Sequence, residues 1–142
     1  MTWFATLTLA VASIIACCVQ NAVAMSGELR IYKEPEFKRL RRLITVFVGD
    51  VCYDMSCPQL NDITSSARWS GLPVTGPAFT ESQAKIAFYA GGNCTGKAAV
   101  VSTRVGQIPN FAAFGMDNAI SSFAVLGTST AMLHKSSDVC AW

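Results

Sequence analysis

The chain has 142 residues, of which 51% are hydrophobic and 14% charged, and its formal net charge at pH 7 is +2. That leaves room for one ordinary domain, is too apolar for a disordered chain, and lacks the basic excess of a nucleic-acid binder. A single histidine, His134, excludes His-rich metal centres and mechanisms that need two imidazoles.

From Trp3 to Val19 the chain carries no charge and is dominated by Leu, Ala, Val and Ile. Gln20 and Asn21 break the run, and Ala22-Val23-Ala24 follows with the small residues of a signal-peptidase site. Residues 1–24 are expected to be a secretory signal cleaved after Ala24. A membrane anchor is the competing reading, but the run is at the short end of the spanning range and no basic stop-transfer cluster follows at once. Cleavage would remove Cys17 and Cys18 and leave Cys52, Cys57, Cys94 and Cys140. An even count in an exported chain predicts two disulfides, with three pairings open. A tetrathiolate zinc site would need short paired spacings that are absent.

Residues 25–42 change character. They carry Arg30, Lys33, Lys38, Arg39, Arg41 and Arg42 against Glu28, Glu34 and Glu36, whereas residues 43–142 hold one more acid than base. No apolar periodicity ties this segment to a core, which predicts a mobile basic arm or pro-segment ahead of a domain at 43–142. Arg39-Leu40-Arg41-Arg42 resembles the site cut by furin and kexin-type proteases, and cleavage there would start the mature chain at Leu43. A retained, solvated arm is the alternative. Lys38-Arg39-Leu40-Arg41 also resembles the R-x-L-R motif of oomycete effectors, with Lys in the first place.

The core holds an internal repeat. ITVFVGDVC at 44–52 aligns with IAFYAGGNC at 86–94, matching Ile44 to Ile86, Phe47 to Tyr89, Gly49 to Gly91 and Cys52 to Cys94. Each copy is a β-branched and aromatic run closed by a glycine turn, the pattern of a strand entering a hairpin. Two such copies predict two four-stranded Greek keys, neither able to bury its inner face alone, packed as a small all-β sandwich. Val100-Val101 and Phe123–Leu126 read as further strands, Gly71-Leu72-Pro73 and Gly76-Pro77 as turns, and 109–114 as one helical turn. Ile44, Val46, Ile86, Phe88, Val101, Ile120, Phe123 and Val125 are the expected core. Trp69 is expected to pack rather than to serve as a ligand platform. Asn93-Cys94-Thr95 is a glycosylation sequon in the second hairpin.

The second repeat, IAFYAGGNCTGKAAVV, followed by FGMDNAISSFAV, resembles a βγ-crystallin Greek key. In those keys a loop of pattern [ND]-[ND]-x-x-[ST]-S follows the aromatic hairpin, and Asp117-Asn118-Ala119-Ile120-Ser121-Ser122 fits it. The hairpins also resemble those of the secreted killer-toxin-like and antimicrobial proteins of this fold. The resemblance implies that Ser122 braces the hairpin, and that two such loops, one per key, would clamp Ca2+ with hard oxygen ligands. A second match stands at Asn61-Asp62-Ile63-Thr64-Ser65-Ser66. With both genuine, the Ile63 carbonyl, Ser65 and Asn118 would form one site, and the Ala119 carbonyl, Ser121 and Asp62 the other, with Asp117 a further candidate residue and both sites weak for want of carboxylates. The first match follows Ile44 too soon for the family spacing. It is therefore expected to be a chance match, the alternative being a short key with a loop inserted at 69–83. The antimicrobial relatives imply a Cys57–Cys94 bond, leaving Cys52–Cys140, with Cys52–Cys57 as competitor.

No G-x-S-x-G nucleophile is placed, Glu81 is the only glutamate after residue 42, and no acidic pair stands out for acid–base work, so a non-enzymatic chain is expected. The resulting expectation is a secreted monomer, toxin-like, antimicrobial-like or effector-like, that binds a cell-wall or cell-surface component. The alternative is a calcium-binding extracellular structural or interaction module. With a net charge of −1, a domain at 43–142 would have no net attraction to anionic lipid.

Overall fold

The computed structural model describes residues 24–77, 79, 81–127, 130, 132 and 134–141. The expected signal segment lies outside the described residues except for Ala24. Among the described residues nine strands run in chain order: β1 Ala24–Glu34, β2 Lys38–Val48, β3 Val51–Asp54, β4 Ser66–Ser70, β5 Lys85–Gly91, β6 Thr95–Ser102, β7 Gln107–Ile108, β8 Ser122–Leu126 and β9 His134–Asp138. They form two sheets of order β2-β1-β4-β7 and β6-β5-β8-β3-β9.

The order defines two Greek keys that exchange strands. In the first key β1 and β2 make a hairpin, β3 crosses to the other sheet, and β4 returns to pair with β1. The second key repeats the path: β5 and β6 make the hairpin, β7 crosses to pair with β4, and β8 returns to β5. Each sheet is therefore completed by a strand of the opposite key, which is why one key alone would leave its apolar face bare. The all-β expectation of two packed Greek keys holds.

The boundary of the first key does not hold. Residues 25–42, expected to be an arm, supply most of the first hairpin. Leu29 and Ile31 on β1 are fully buried between outward-facing Glu28, Arg30 and Tyr32, the period-two alternation of a half-buried strand. The repeat alignment is likewise out of step, because Ile44 belongs to β2 whereas Ile86 belongs to β5, and the strand equivalent to β5 in the first key is β1. The run 44–52 is not one strand into a hairpin either; it is divided by a turn at Gly49-Asp50, with β2 and β3 in opposite sheets. Asp50 holds that turn from a buried position, accepting from the Gly127 amide at 3.0 Å while its own amide donates to Val125 O at 2.8 Å.

The core lies between the sheets and is built on Phe88, which contacts Phe111 edge-on at 5.0 Å between centroids and tilts against Trp69 and Phe123. Of the expected core, Ile44, Ile86, Phe88, Ile120, Phe123 and Val125 are buried, Val101 is partly buried, and the Val46 side chain lies outside the described residues. Trp69 is buried on β4, its Nε1 donating to Thr103 O at 2.7 Å. The expected helical turn is the 3-10 turn Phe111–Phe114. His134 opens β9, and its side chain lies outside the described residues.

Among the described residues two disulfides are present, Cys52–Cys94 and Cys57–Cys140, rather than Cys57–Cys94 and Cys52–Cys140. The hairpin end at Cys94 folds over β8, its amide donating to Ser122 Oγ, and β3 with Cys52 lies immediately beyond β8. Cys57 follows β3, Cys140 follows β9, and those strands run parallel with Asp54 in register with Asp138, so the two chain ends arrive together.

Candidate cation site

Two loops, 61–66 and 117–122, lead into β4 and β8, the equivalent last strands of the two keys. Asp62 and Asn118 both take left-handed backbone conformations, at φ 53° and 51°, a region that Asp and Asn tolerate better than most residues. The loops then bond to each other reciprocally. The Asp62 amide donates to Ile120 O at 3.2 Å and the Asn118 amide to Thr64 O at 3.1 Å.

The serines complete the symmetry. The Ser65 amide donates to Tyr32 O at 3.0 Å and the Ser121 amide to Tyr89 O at 2.9 Å, tying each loop to the first strand of its own key. Next to them, Ser66 Oγ donates to Glu34 O at 2.6 Å and accepts from the Phe37 amide at 3.1 Å. Ser122 Oγ donates to Gly91 O at 2.6 Å and accepts from the Cys94 amide at 2.9 Å. The equivalence extends to Phe37 and Cys94. In the first key, Phe37 packs edge-on to Tyr32 at 5.8 Å, under the Arg68 guanidinium at 3.6 Å. In the second, Cys94 fills that place and is fixed covalently to Cys52. The first loop is thus the counterpart of the second, not a chance match. Its spacing departs from the family pattern only when counted from Ile44, because the counterpart of β5 is β1 and not the run at Ile44.

The oxygen atoms meet across the two keys. Ser65 Oγ lies 3.2 Å from Asn118 Oδ1, and Ser121 Oγ lies 3.2 Å from Asp62 Oδ1. Each side chain is steadied by the preceding residue: Asn61 Nδ2 donates to Asp62 Oδ2 at 2.9 Å, and Asn118 Nδ2 donates to Asp117 Oδ2 at 3.4 Å. Asn61 and Asp117 thereby act as orienting groups, a role that the motif alone did not reveal. Two oxygens 3.2 Å apart are spaced as neighbouring ligands of one ion at about 2.4 Å from each. Hydroxyl, amide, carboxylate and backbone carbonyl oxygens, the last from Ile63 and Ala119, form a hard donor set that suits Ca2+ and not a thiophilic metal. The residues present therefore fit such an ion. Among the described residues no cluster of three or more His, Cys, Asp or Glu side chains exists, so carboxylate charge is sparse.

The other predicted positions lie elsewhere. Asn93 is exposed at the end of the second hairpin, in a left-handed conformation at φ 54° beside the bonded Cys94. Arg39, Arg41 and Arg42 sit within β2, not in an arm; Arg42 donates to Val139 O at 3.1 Å and Arg41 to Gln59 O at 3.3 Å. A cut after Arg42 would divide a paired strand.

The exchanged strands and the serine-braced hairpins define a fold of βγ-crystallin type. No family model matches the sequence, and no curated protein does. Among solved structures the chain is similar to one from work on the evolution of the eye lens βγ-crystallin domain fold, with 24% identity over 74% of this chain and 90% of that one, at a TM-score of 0.47. It is also similar to a βγ-crystallin from an archaeon, with 22% identity, 71% and 99% coverage and a TM-score of 0.45. The N-terminal domain of protein S gives 16% identity, 72% and 99% coverage and a TM-score of 0.44. The strand order and the matched hydrogen bonds carry the assignment.

Proposed function

We propose that this chain is a non-enzymatic, extracellular βγ-crystallin-type module that binds calcium in its paired loops. The observation that carries this reading is the reciprocal oxygen pairing, Ser65 with Asn118 and Ser121 with Asp62. In one site Ser65, Asn118 and the Ile63 carbonyl would hold the ion; in the other, Asp62, Ser121 and the Ala119 carbonyl. A bound ion would supply charge that draws both loops inward, linking the two keys more tightly than the hydroxyl contacts alone. With one carboxylate among the six groups, the affinity belongs at the weak end, with Kd on the order of 0.1–1 mM, as in extracellular calcium modules. Two disulfides support an oxidising compartment, and the apolar run at Trp3–Val19 supports export.

Calorimetry on the calcium-stripped protein tests the reading. Heat saturating in the millimolar range, reduced by Asp62→Ala, is the expected result; no heat at millimolar calcium overturns it.

A second reading, a toxin-like, antimicrobial-like or effector-like protein that binds a cell surface, gains from the placement of the basic segment. Those cations belong to the folded first sheet and cannot be lost as an arm without dismantling β1 and β2. Growth inhibition of microbial cells by the purified chain would support it, and inertness across anionic and neutral surfaces would exclude it.

A further inference from the structure

The outer face of the first sheet carries a feature that neither calcium nor core packing uses. Across β2, β1 and β4 the register places Leu43, Arg30 and Arg68 side by side. Two arginines directly opposite on neighbouring strands repel each other, an arrangement that sheets ordinarily avoid. Glu28 engages Arg30 at 2.6 Å, and Arg68 lies over the Phe37 ring.

Beside this pair stand two exposed leucines. Leu40 is 55% exposed and Leu43 44%. In a regular strand residues three apart point to opposite faces. Here Ile31 pairs with Arg42 but Tyr32 pairs with Leu40, so Arg41 is an extra residue in β2. That bulge turns Leu40 onto the same face as Leu43, since their partners Tyr32 and Arg30 share the outer face; bulges recur where a side chain must be re-aimed. The surrounding hairpin carries Lys33, Lys38, Arg39 and Arg41, and six cations against three carboxylates over residues 25–42; of these Arg39 pairs with Glu34 at 3.1 Å and Arg42 turns away to Val139 O.

We infer that this face docks on an anionic phospholipid bilayer, with Arg30 and Arg68 receiving a headgroup phosphate and Leu40 and Leu43 entering the acyl boundary. The combination selects the occupant. An acidic polysaccharide or peptide would use the cations but leave the leucines in water, and a second copy of the chain would set one basic face against another. A bilayer of anionic lipid satisfies charge and apolar surface together.

The test is co-sedimentation of the full chain with vesicles, calcium being chelated so that the outcome is independent of the cation reading. The expected result is binding to phosphatidylcholine–phosphatidylserine vesicles but not to phosphatidylcholine alone, weakening as salt is raised. Leu40→Ser with Leu43→Ser should reduce partitioning about tenfold or more. Arg30→Gln with Arg68→Gln should reduce it comparably, and thermal unfolding of both variants should stay close to the parent. Absence of binding to the mixed vesicles overturns the proposal. So does binding that the leucine pair does not affect, or retention on heparin without any vesicle binding.

Discussion

Ser65 and Asn118 belong to different Greek keys and lie more than fifty residues apart in sequence, yet their side-chain oxygens meet at 3.2 Å. Ser121 and Asp62 make the same contact in the opposite sense at the same distance. A duplicated loop can give this reciprocity only if each key places its loop against the other, which the exchanged strands β3 and β7 enforce.

The two bracing serines should be equally indispensable. Ser66→Ala or Ser122→Ala would leave a backbone amide and a carbonyl without their partner, at a cost of about 1–3 kcal/mol for each serine. Urea unfolding measures this directly. A variant as stable as the parent would show that its hairpin is held by other means.

Thr64 offers the opposite sign. It is fully buried in the position equivalent to Ile120, and among the described residues its hydroxyl has no hydrogen-bond partner. Thr64→Val keeps the shape and removes the unsatisfied group, so it should stabilise the fold by about 1 kcal/mol, read as a raised urea midpoint. A lowered midpoint would mean that the hydroxyl is satisfied in solution.

The disulfides close loops with sequence separations of 42 and 83 residues. On a chain-entropy basis each contributes about 4 kcal/mol or slightly more. Their local roles differ. Replacing Cys57 and Cys140 with serine should loosen β9 at the sheet edge, whereas replacing Cys52 and Cys94 should release the second hairpin, where no Phe37-like ring substitutes. Hydrogen exchange would show amide protection lost in β9 alone for the first pair, and in β5, β6 and β8 for the second.

Much of the second key was legible in the sequence, because its strands are compact apolar runs and its hairpin carries glycines. The first key begins one strand earlier than its apolar pattern suggests. In β1 the buried Leu29 and Ile31 are interleaved with Glu28, Arg30 and Lys33, so net charge masked a period-two strand. The more evident apolar run, at Ile44, belongs to β2. The loop residues were identifiable by motif, but their pairing across the keys was not, since it depends on the strand exchange. The disulfide pairing was equally out of reach, because it depends on β9 lying parallel to β3, a contact outside the two keys.

Alkaline pH should erode stability through two tyrosines. Burial pushes the phenols of Tyr53 and Tyr89 above the ordinary value of 10.0, a rise that for Tyr53 is partly offset by its hydrogen bond with Val48. The folded state therefore holds these protons more tightly than the unfolded chain. Their contribution is fully present below pH 10.0 and falls away as pH rises past it toward the folded-state values. Tyr89→Phe should flatten part of that alkaline loss while leaving stability at pH 7 within about 1 kcal/mol. An unchanged slope above pH 10.0 would place Tyr89 in contact with water.

In the proposed function the loops at 61–66 and 117–122 act as one paired cation site. Amide NMR spectra recorded while calcium is added test it directly. The predicted result is saturable shifts at Asp62, Ser65, Asn118 and Ser121 in the same millimolar range; shifts confined to one loop, or absent from both, would contradict it.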